Sequence, residues 1–106
     1  MDRDELRLEV LDDMVFYLKK DRDLLSIIPN DEEFIQQLIK QYLYYVDDMV
    51  VDGYSQDAAL ESLTNMYSEI MSEYMSYVHF VDMYNIFGII DNYFKKYYTN
   101  DYEYKK

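Results

Sequence analysis

Carboxylates are the side chains whose number and spacing suggest chemistry in this sequence. The chain of 106 residues holds 22 Asp and Glu against 10 Lys and Arg, a formal net charge of −12 at pH 7. Asp57 and Glu61 stand four residues apart, as do Glu69 and Glu73. Residues four apart share one face of an α-helix, where two like charges cost about 0.2–0.5 kcal/mol. Such pairs can ligate a cation, act as acid and base, or meet a positively charged partner.

The first use, metal binding, lacks the ligands it needs. The turn from Asp48 onward resembles the loop of an EF-hand, which requires oxygen ligands at alternate early positions and a glutamate at its twelfth. Counting from Asp48, the third residue is Val50 and the twelfth is Ala59. His79 is the single histidine, and most of its neighbours one helical turn away are Met or Ser. We interpret His79 as a partly buried core or boundary residue, and we predict no metal site and no other cofactor.

The second use, catalysis, has no motif to support it. The sequence has no cysteine, no glycine-rich phosphate loop, no G-x-S-x-G elbow and no dinucleotide fingerprint. A carboxylate pair serves as acid and base when a pocket or a neighbouring base pushes their pKa values apart. The sequence singles out no such pair. We therefore predict that the protein is not an enzyme and that it works by binding.

The spacing of the apolar residues predicts the elements that carry these carboxylates. Apolar residues recur at steps of three and four through four segments, the pattern of amphipathic α-helices. Two glycines and one proline are too few for an all-β fold, which needs frequent chain reversals. We predict an all-α fold with short loops, either a compact four-helix bundle or an orthogonal helical array. A single helical domain is expected over residues 1–98, followed by a frayed C-terminal tail over residues 99–106.

Turn and cap residues predict where these helices begin and end. Asn30 is the predicted N-cap of the second helix. Gly53 ends that helix in a left-handed conformation, and Ser55 caps the third. No glycine or proline separates the third helix from the fourth, so we place a break near residues 76–82 and take Asp82 as the cap.

Tyrosine is the second unusual feature of the composition, with fourteen residues and no tryptophan. Four tyrosines fall on apolar stripes and are predicted to be core residues whose hydroxyls reach the rim: Tyr42, Tyr45, Tyr67 and Tyr74. Exposed tyrosines, in contrast, are enriched in binding surfaces. Five tyrosines fall off the stripes and are expected to be at least half exposed: Tyr44, Tyr54, Tyr84, Tyr93 and Tyr98.

The negative charge is concentrated in the middle of the chain. Residues 31–91 hold twelve acids against one base, Lys40, a net charge of −11, whereas residues 1–30 carry −3 and residues 92–106 carry +2. Three of these acids crowd the C-terminal end of the second helix, where the helix dipole repels anions. One interpretation is solubility, since acidic residues keep small proteins in solution. The other is a surface shaped to meet a basic partner.

A protein with a groove built for a phosphate backbone is one such basic partner. Carboxylates one turn apart are separated by roughly 6 Å along a helix axis, comparable with the spacing of charge along a nucleic-acid strand. DNA carries one charge per about 1.7 Å when both strands are counted. In charge, size and helicity the chain resembles the DNA-mimic inhibitors that phages and mobile elements direct against restriction, CRISPR or DNA-repair enzymes. The resemblance implies an inhibitor, such as an anti-CRISPR or anti-restriction protein, that acts on a basic nucleic-acid-processing protein.

The predicted partner-binding residues come from the second and third helices and the turn between them. The acids would take the place of phosphates, and Tyr54 would be a central aromatic anchor. Direct nucleic-acid binding is not expected, because the net charge opposes it. The predicted set is Asp47, Asp48, Asp52, Tyr54, Asp57, Glu61, Glu69 and Glu73.

Two other functions fit the same composition. One is an immunity protein or antitoxin that neutralises a cognate toxin, with similar electrostatics. The other is a structural module whose tyrosine-rich helices self-associate, for example as a homodimer. In each case we expect a cytoplasmic protein, in the host cytoplasm if a phage encodes it, without a membrane partner. The sequence begins without the basic and apolar regions of a signal peptide, and no apolar stretch is long enough for a membrane span.

Sedimentation at low and high salt separates the self-associating module from the two inhibitors. Association through apolar surface is expected to survive about 1 M salt, because salt screens charges and strengthens apolar burial. An acidic inhibitor is expected to remain a monomer at both salt concentrations. A dimer that persists at high salt would favour the structural module.

Overall fold

Five helices make up the regular structure of the described residues. The computed structural model describes the backbone of residues 2–74 and 80–98, and the side chains of residues 2–66 and 83–98. Four helices are long and one has a single turn, which confirms the all-α prediction. They are α1 (Arg3–Leu18), α2 (Arg22–Leu25), α3 (Glu32–Val51), α4 (Gln56–Tyr74) and α5 (Phe80–Tyr97).

Aspartates cap the first three helices. At the start of α3 the Asp31 carboxylate accepts hydrogen bonds from the backbone N–H groups of Glu33, at 3.0 Å, and Phe34, at 3.3 Å. The prediction that Asn30 is this cap is therefore wrong by one residue. Asn and Asp are equally good N-caps. The Asp31 N–H also donates to the carbonyl of Pro29 at 2.9 Å, which holds Asp31 in the capping position.

The turn between α3 and α4 is formed by local sequence chemistry. Gly53 has φ of +102°, a conformation that side chains with a Cβ rarely adopt. Its N–H donates to the carbonyl of Val50, and the N–H of Tyr54 donates to the carbonyl of Met49, both at 3.0 Å. These two bonds form a Schellman motif. The Ser55 hydroxyl accepts from the backbone N–H three residues on, at 3.1 Å, so the predicted roles of Gly53 and Ser55 are confirmed.

Helix α5 begins at a different residue from the one predicted. Residues 75–79, which include His79 and most of the predicted break, lie outside the described residues. Helix α5 is present from Phe80, so Asp82 is its third residue and the prediction that Asp82 is the N-cap is wrong. A carboxylate in the first turn of a helix is favoured by the dipole in the same way as one at the cap.

The core lies where α3 and α5 meet the other helices. Helix α3 contacts α1, α4 and α5, and α5 contacts every other helix. Burying one large apolar side chain contributes roughly 1.5–3 kcal/mol. The predicted tail at residues 99–106 lies outside the described residues. The largest fully buried side chains are Met14, Leu18, Leu24, Ile35, Leu38, Ile39, Tyr42, Leu43, Leu63, Met83, Ile86 and Phe87.

Three of the five tyrosines predicted to be exposed are buried or partly buried. Tyr54 and Tyr84 are about half exposed, as predicted, but Tyr44 and Tyr93 are partly buried and Tyr98 is only 2% exposed. The exposure predicted for these last three is therefore wrong. The ring of Tyr98 stacks on Phe94 with centroids 5.6 Å apart. Residues at the edge of an apolar stripe become buried when a second helix covers that edge, as α1 does here.

Replacing either of the two glycines by alanine is expected to change stability, in opposite directions at the two positions. Among the described residues, and apart from the backbone of its own helix, no heavy atom lies within 4 Å of a Cβ built at Gly88. We expect Gly88→Ala to stabilise the fold by about 0.5–1 kcal/mol, because alanine has less freedom to lose in a helix. Gly53→Ala is the control and is expected to destabilise it, because φ of +102° strains any side chain. Urea unfolding measures both, and two changes of the same sign would contradict this account.

Candidate protein-binding surface

Asp47, one of the predicted partner-binding residues, lies inside the contact between α1 and α3. Its side chain is only 6% exposed. Its Oδ2 accepts a hydrogen bond from Arg3 Nε at 2.7 Å and another from Arg7 Nη2 at 2.6 Å. These residues join the start of α1 to the end of α3, and Lys19 at the end of α1 contacts Glu32 at the start of α3, so the two helices run antiparallel. Asp47 is therefore not available to a partner, because two arginines distant in sequence neutralise it.

Arg7 connects this buried pair to the surface. Its Nη2 also donates to Asp48 Oδ1 at 2.5 Å, and its Nη1 lies 3.5 Å from Asp4 Oδ1. The guanidinium packs on the ring of Tyr44, 4.7 Å from the centroid. The carboxylates of Asp48 and Asp4 are 64% and 78% exposed. The start of α1 and the end of α3 therefore present their carboxylates at one edge of the molecule.

A second group of charged residues joins Lys95 of α5 to the start of α4. The Nζ of Lys95 lies 2.9 Å from Asp91 Oδ2 and 3.2 Å from Asp57 Oδ1. Asp91 is buried and also accepts from the Tyr42 hydroxyl at 2.6 Å and from Gln56 Nε2 at 2.9 Å. The hydrogen bond to Asp91 is the main cause that raises the pKa of Lys95, with Asp57 adding to it against the lowering by burial. One cation is thus shared by two carboxylates, which leaves the highly exposed Asp57 only partly neutralised.

Five of the eight predicted residues lie exposed around the turn between α3 and α4. Asp52 and Glu61 are exposed, and none of the described cations pairs with either. Tyr54 is 57% exposed and its neighbour Val51 is 64% exposed, so apolar area lies among the acids. The side chains of Glu69 and Glu73, on α4, lie outside the described residues. We call the exposed group the acidic turn: Asp48, Asp52, Tyr54, Asp57 and Glu61.

The outer side of α1 is an acidic surface that the sequence did not reveal. Glu5, Glu9 and Asp12 are exposed and Asp13 is partly exposed. The arginines of the same helix point to the opposite side, toward α3. The segment tally hid this surface, because residues 1–30 carry a net charge of only −3. The spacing of residues 5, 9 and 13 was the available signal. We call this surface the α1 acidic face: Glu5, Glu9, Asp12 and Asp13.

Asp13 is held at the inner edge of this face by Tyr98. The Tyr98 hydroxyl donates a hydrogen bond to Asp13 Oδ2. Burial is the main cause that raises the pKa of Tyr98 above its usual value of 10.0, and the bond to Asp13 raises it further. Burial likewise raises the pKa of Tyr93. Both tyrosines therefore keep their protons in the folded state beyond the pH at which an unfolded chain loses them.

The chemistry of these surfaces is that of charge and apolar contact. Among residues whose side chains are described, no three His, Cys, Asp or Glu lie close enough together to hold a metal ion. In the described part of the chain, every helix is too short or too polar to cross a membrane. Comparisons with protein-family models, curated protein sequences and solved structures found no match to this chain.

Removing Arg7 is expected to destabilise the fold strongly. In Arg7→Met the buried Asp47 loses one of the two arginines that bind it, and breaking a buried pair from one side costs about 3–5 kcal/mol. We expect a loss near the lower end, because Arg3 remains. Lys19→Met is the matched control, since Lys19 contacts the exposed Glu32 at 3.8 Å and such pairs contribute about 0–1 kcal/mol. Urea unfolding gives both values, and equal losses would contradict the role assigned to Arg7.

Stability is expected to fall in alkali, in part through Tyr98. Its pKa is higher in the folded state than in the unfolded chain, so its stabilisation is full below the unfolded pKa. That stabilisation is lost as the pH rises, because the unfolded chain releases the proton first. Tyr98→Phe should therefore show a shallower loss of stability as the pH rises above about 10. The half-exposed Tyr84 gives the control variant Tyr84→Phe, and an identical slope in the two variants would contradict this origin.

Proposed function

We propose that the protein is a small acidic inhibitor that presents carboxylates in place of phosphates to a basic nucleic-acid-processing protein. The observation that supports this most is that the arginines of α1 face α3, whereas its acids face outward. Arg3 and Arg7 are used inside the α1–α3 contact. The exposed carboxylates of Asp4 and Asp48 meet at Arg7, so the first turn of α1 adjoins the acidic turn. The α1 acidic face begins in that same helical turn, at Glu5.

The distribution of cations favours binding over solubility as the reason for the charge. A surface made only for solubility mixes both signs. Here Lys20 and Lys96 line a separate groove with Tyr17 and Tyr93. Lys20 follows the end of α1 that is distant from the acidic turn. Lys20 is therefore separated from the acidic turn, while its Nζ lies over the ring of Phe16 on α1, 4.1 Å from the centroid.

The spacing of the carboxylates suits a site built for a phosphate backbone. Glu5, Glu9 and Asp13 follow one another at single turns, about 6 Å along the axis. Each DNA strand carries a phosphate about every 3.4 Å of axis, so one carboxylate stands for about two phosphates. Long-range attraction would speed the encounter, and salt would weaken the complex.

Apolar contact would add specificity to this attraction. Val51 and Tyr54 are exposed on either side of Asp52. Aromatic side chains that enter a pocket on the partner are enriched among residues that carry most of the binding energy. The acids surrounding Tyr54 would then orient the partner, and Tyr54 would hold it.

The test is capture of proteins from a host extract on the immobilised chain, followed by elution with duplex DNA. We expect the captured protein to bind DNA, to elute with excess duplex DNA and to elute as salt rises. The variant Asp52→Asn/Asp57→Asn/Glu61→Gln is expected to lose about tenfold in affinity, because three charged contacts of about 0.2–1 kcal/mol each are removed.

The control variant removes the same charge from another place. Asp23→Asn/Glu32→Gln/Glu33→Gln also neutralises three exposed acids, at α2 and the start of α3. It should bind as the unchanged protein does. Equal losses of affinity in the two variants would show that binding depends on net charge and not on the acidic turn. A captured toxin that duplex DNA does not displace would favour an immunity protein or antitoxin instead.

A further inference from the structure

A groove runs along α1 beside the α1 acidic face. Its volume is about 530 Å³. The apolar part of its lining comes from Leu6, Val10 and Phe16, with the ring of Tyr98 from the end of α5. Val10 is buried in the core, whereas Phe16 is 49% exposed. The groove thus has a fixed apolar floor and a large aromatic side chain at one end.

The polar part of the lining is entirely acidic among the described residues. Glu9, Asp12 and Asp13 contribute it, and no Lys or Arg of the described residues lines the groove. Glu9 and Asp13 lie one helical turn apart. Asp13 is oriented by the Tyr98 hydroxyl. The apolar floor is therefore flanked by acids at residues 9–13, while Lys19 and Lys20 lie over the ring of Phe16 at its far end, 5.7 Å and 4.1 Å from the centroid.

We propose that this groove binds a cationic amphipathic α-helix of the partner. The inference rests on the proposed function, and it adds that the basic partner is engaged in part through a helix and not only through a flat basic surface. The apolar floor takes the apolar stripe of that helix. The acids pair with its Lys or Arg residues.

The dimensions of the groove set the length and pattern of the helix. Residues 6–16 of α1 span about 15 Å, close to three helical turns. A helix of that length presents apolar residues at steps of three and four on one side. Basic residues flanking that stripe, one turn apart, match the separation of Glu9 and Asp13. Phe16 packs against the apolar residue at one end of the bound helix.

The experiment uses a designed peptide of Lys and Leu with helical spacing as the probe. Two control peptides accompany it: one with the same composition and a scrambled order, and one with Glu in place of Lys. Titrations are followed through the backbone amide NMR signals of the full chain. We expect the amphipathic peptide to shift signals of α1 and Tyr98. The scrambled peptide should bind about tenfold more weakly or worse, because it cannot place its apolar residues on one side.

Variants locate the site. Glu9→Gln/Asp12→Asn is expected to weaken binding of the amphipathic peptide about three- to tenfold, since two exposed charge pairs are lost. Asp52→Asn/Glu61→Gln removes the same charge from the acidic turn and should change the affinity less than about twofold. Phe16→Ala should weaken binding, whereas Leu8→Ala should not, because Leu8 is an exposed apolar residue of α1 outside the groove lining. Circular dichroism verifies that each variant is folded.

Three results would overturn the inference. They are equal binding of the scrambled peptide, signal shifts centred on residues 48–61, and equal effects of the two double variants. None of these affects the proposed function, which depends on duplex DNA displacing the captured protein. Conversely, peptide binding at α1 together with failure of the DNA elution would support the groove and contradict the proposed function.

Discussion

The buried carboxylate of Asp47 between Arg3 and Arg7 is the interaction on which the acidic surfaces depend. A charge taken out of water is tolerated only when a partner compensates it, and here two arginines of α1 do so. This pairing fixes the start of α1 against the end of α3. It also uses two cations of α1 on the inner side of the helix, so that the outer side is left with Glu5, Glu9 and Asp12. One ion pair therefore determines both the helix contact and the sign of the outer surface.

Local features of this fold could be predicted from the sequence because they depend on neighbouring residues. The left-handed Gly53 and the hydroxyl cap of Ser55 follow from backbone chemistry within a few positions. The all-α class follows from the spacing of apolar residues. The cap of α3 was misplaced by one residue because Asn30 and Asp31 are equally suitable, and only their hydrogen bonds distinguish them. Asp82 was misassigned for a similar reason, since acids suit both the cap and the first turn.

Features that depend on contacts between distant residues could not be predicted. Counting charges by segment assigned the surplus to residues 31–91, but Asp47, Asp57 and Asp91 from that segment pair with cations outside it. The count for residues 1–30 was nearly balanced for the same reason, since Arg3 and Arg7 belong electrostatically to α3. Tyr98 was expected at the surface, but it is buried, and its hydroxyl donates to Asp13 of α1, 85 residues away in the sequence. A helical projection of α1 would have shown its acidic side, but not where its arginines pair.

Amide hydrogen exchange of the chain, alone and bound to its captured partner, tests the central claim most directly. A partner that meets the carboxylates must cover the acidic turn and the α1 acidic face. The amides of residues 48–61 and of α1 should therefore exchange more slowly in the complex. Protection confined to α5 and the groove between Tyr17 and Tyr93, with unchanged exchange at residues 48–61 and in α1, would contradict the account.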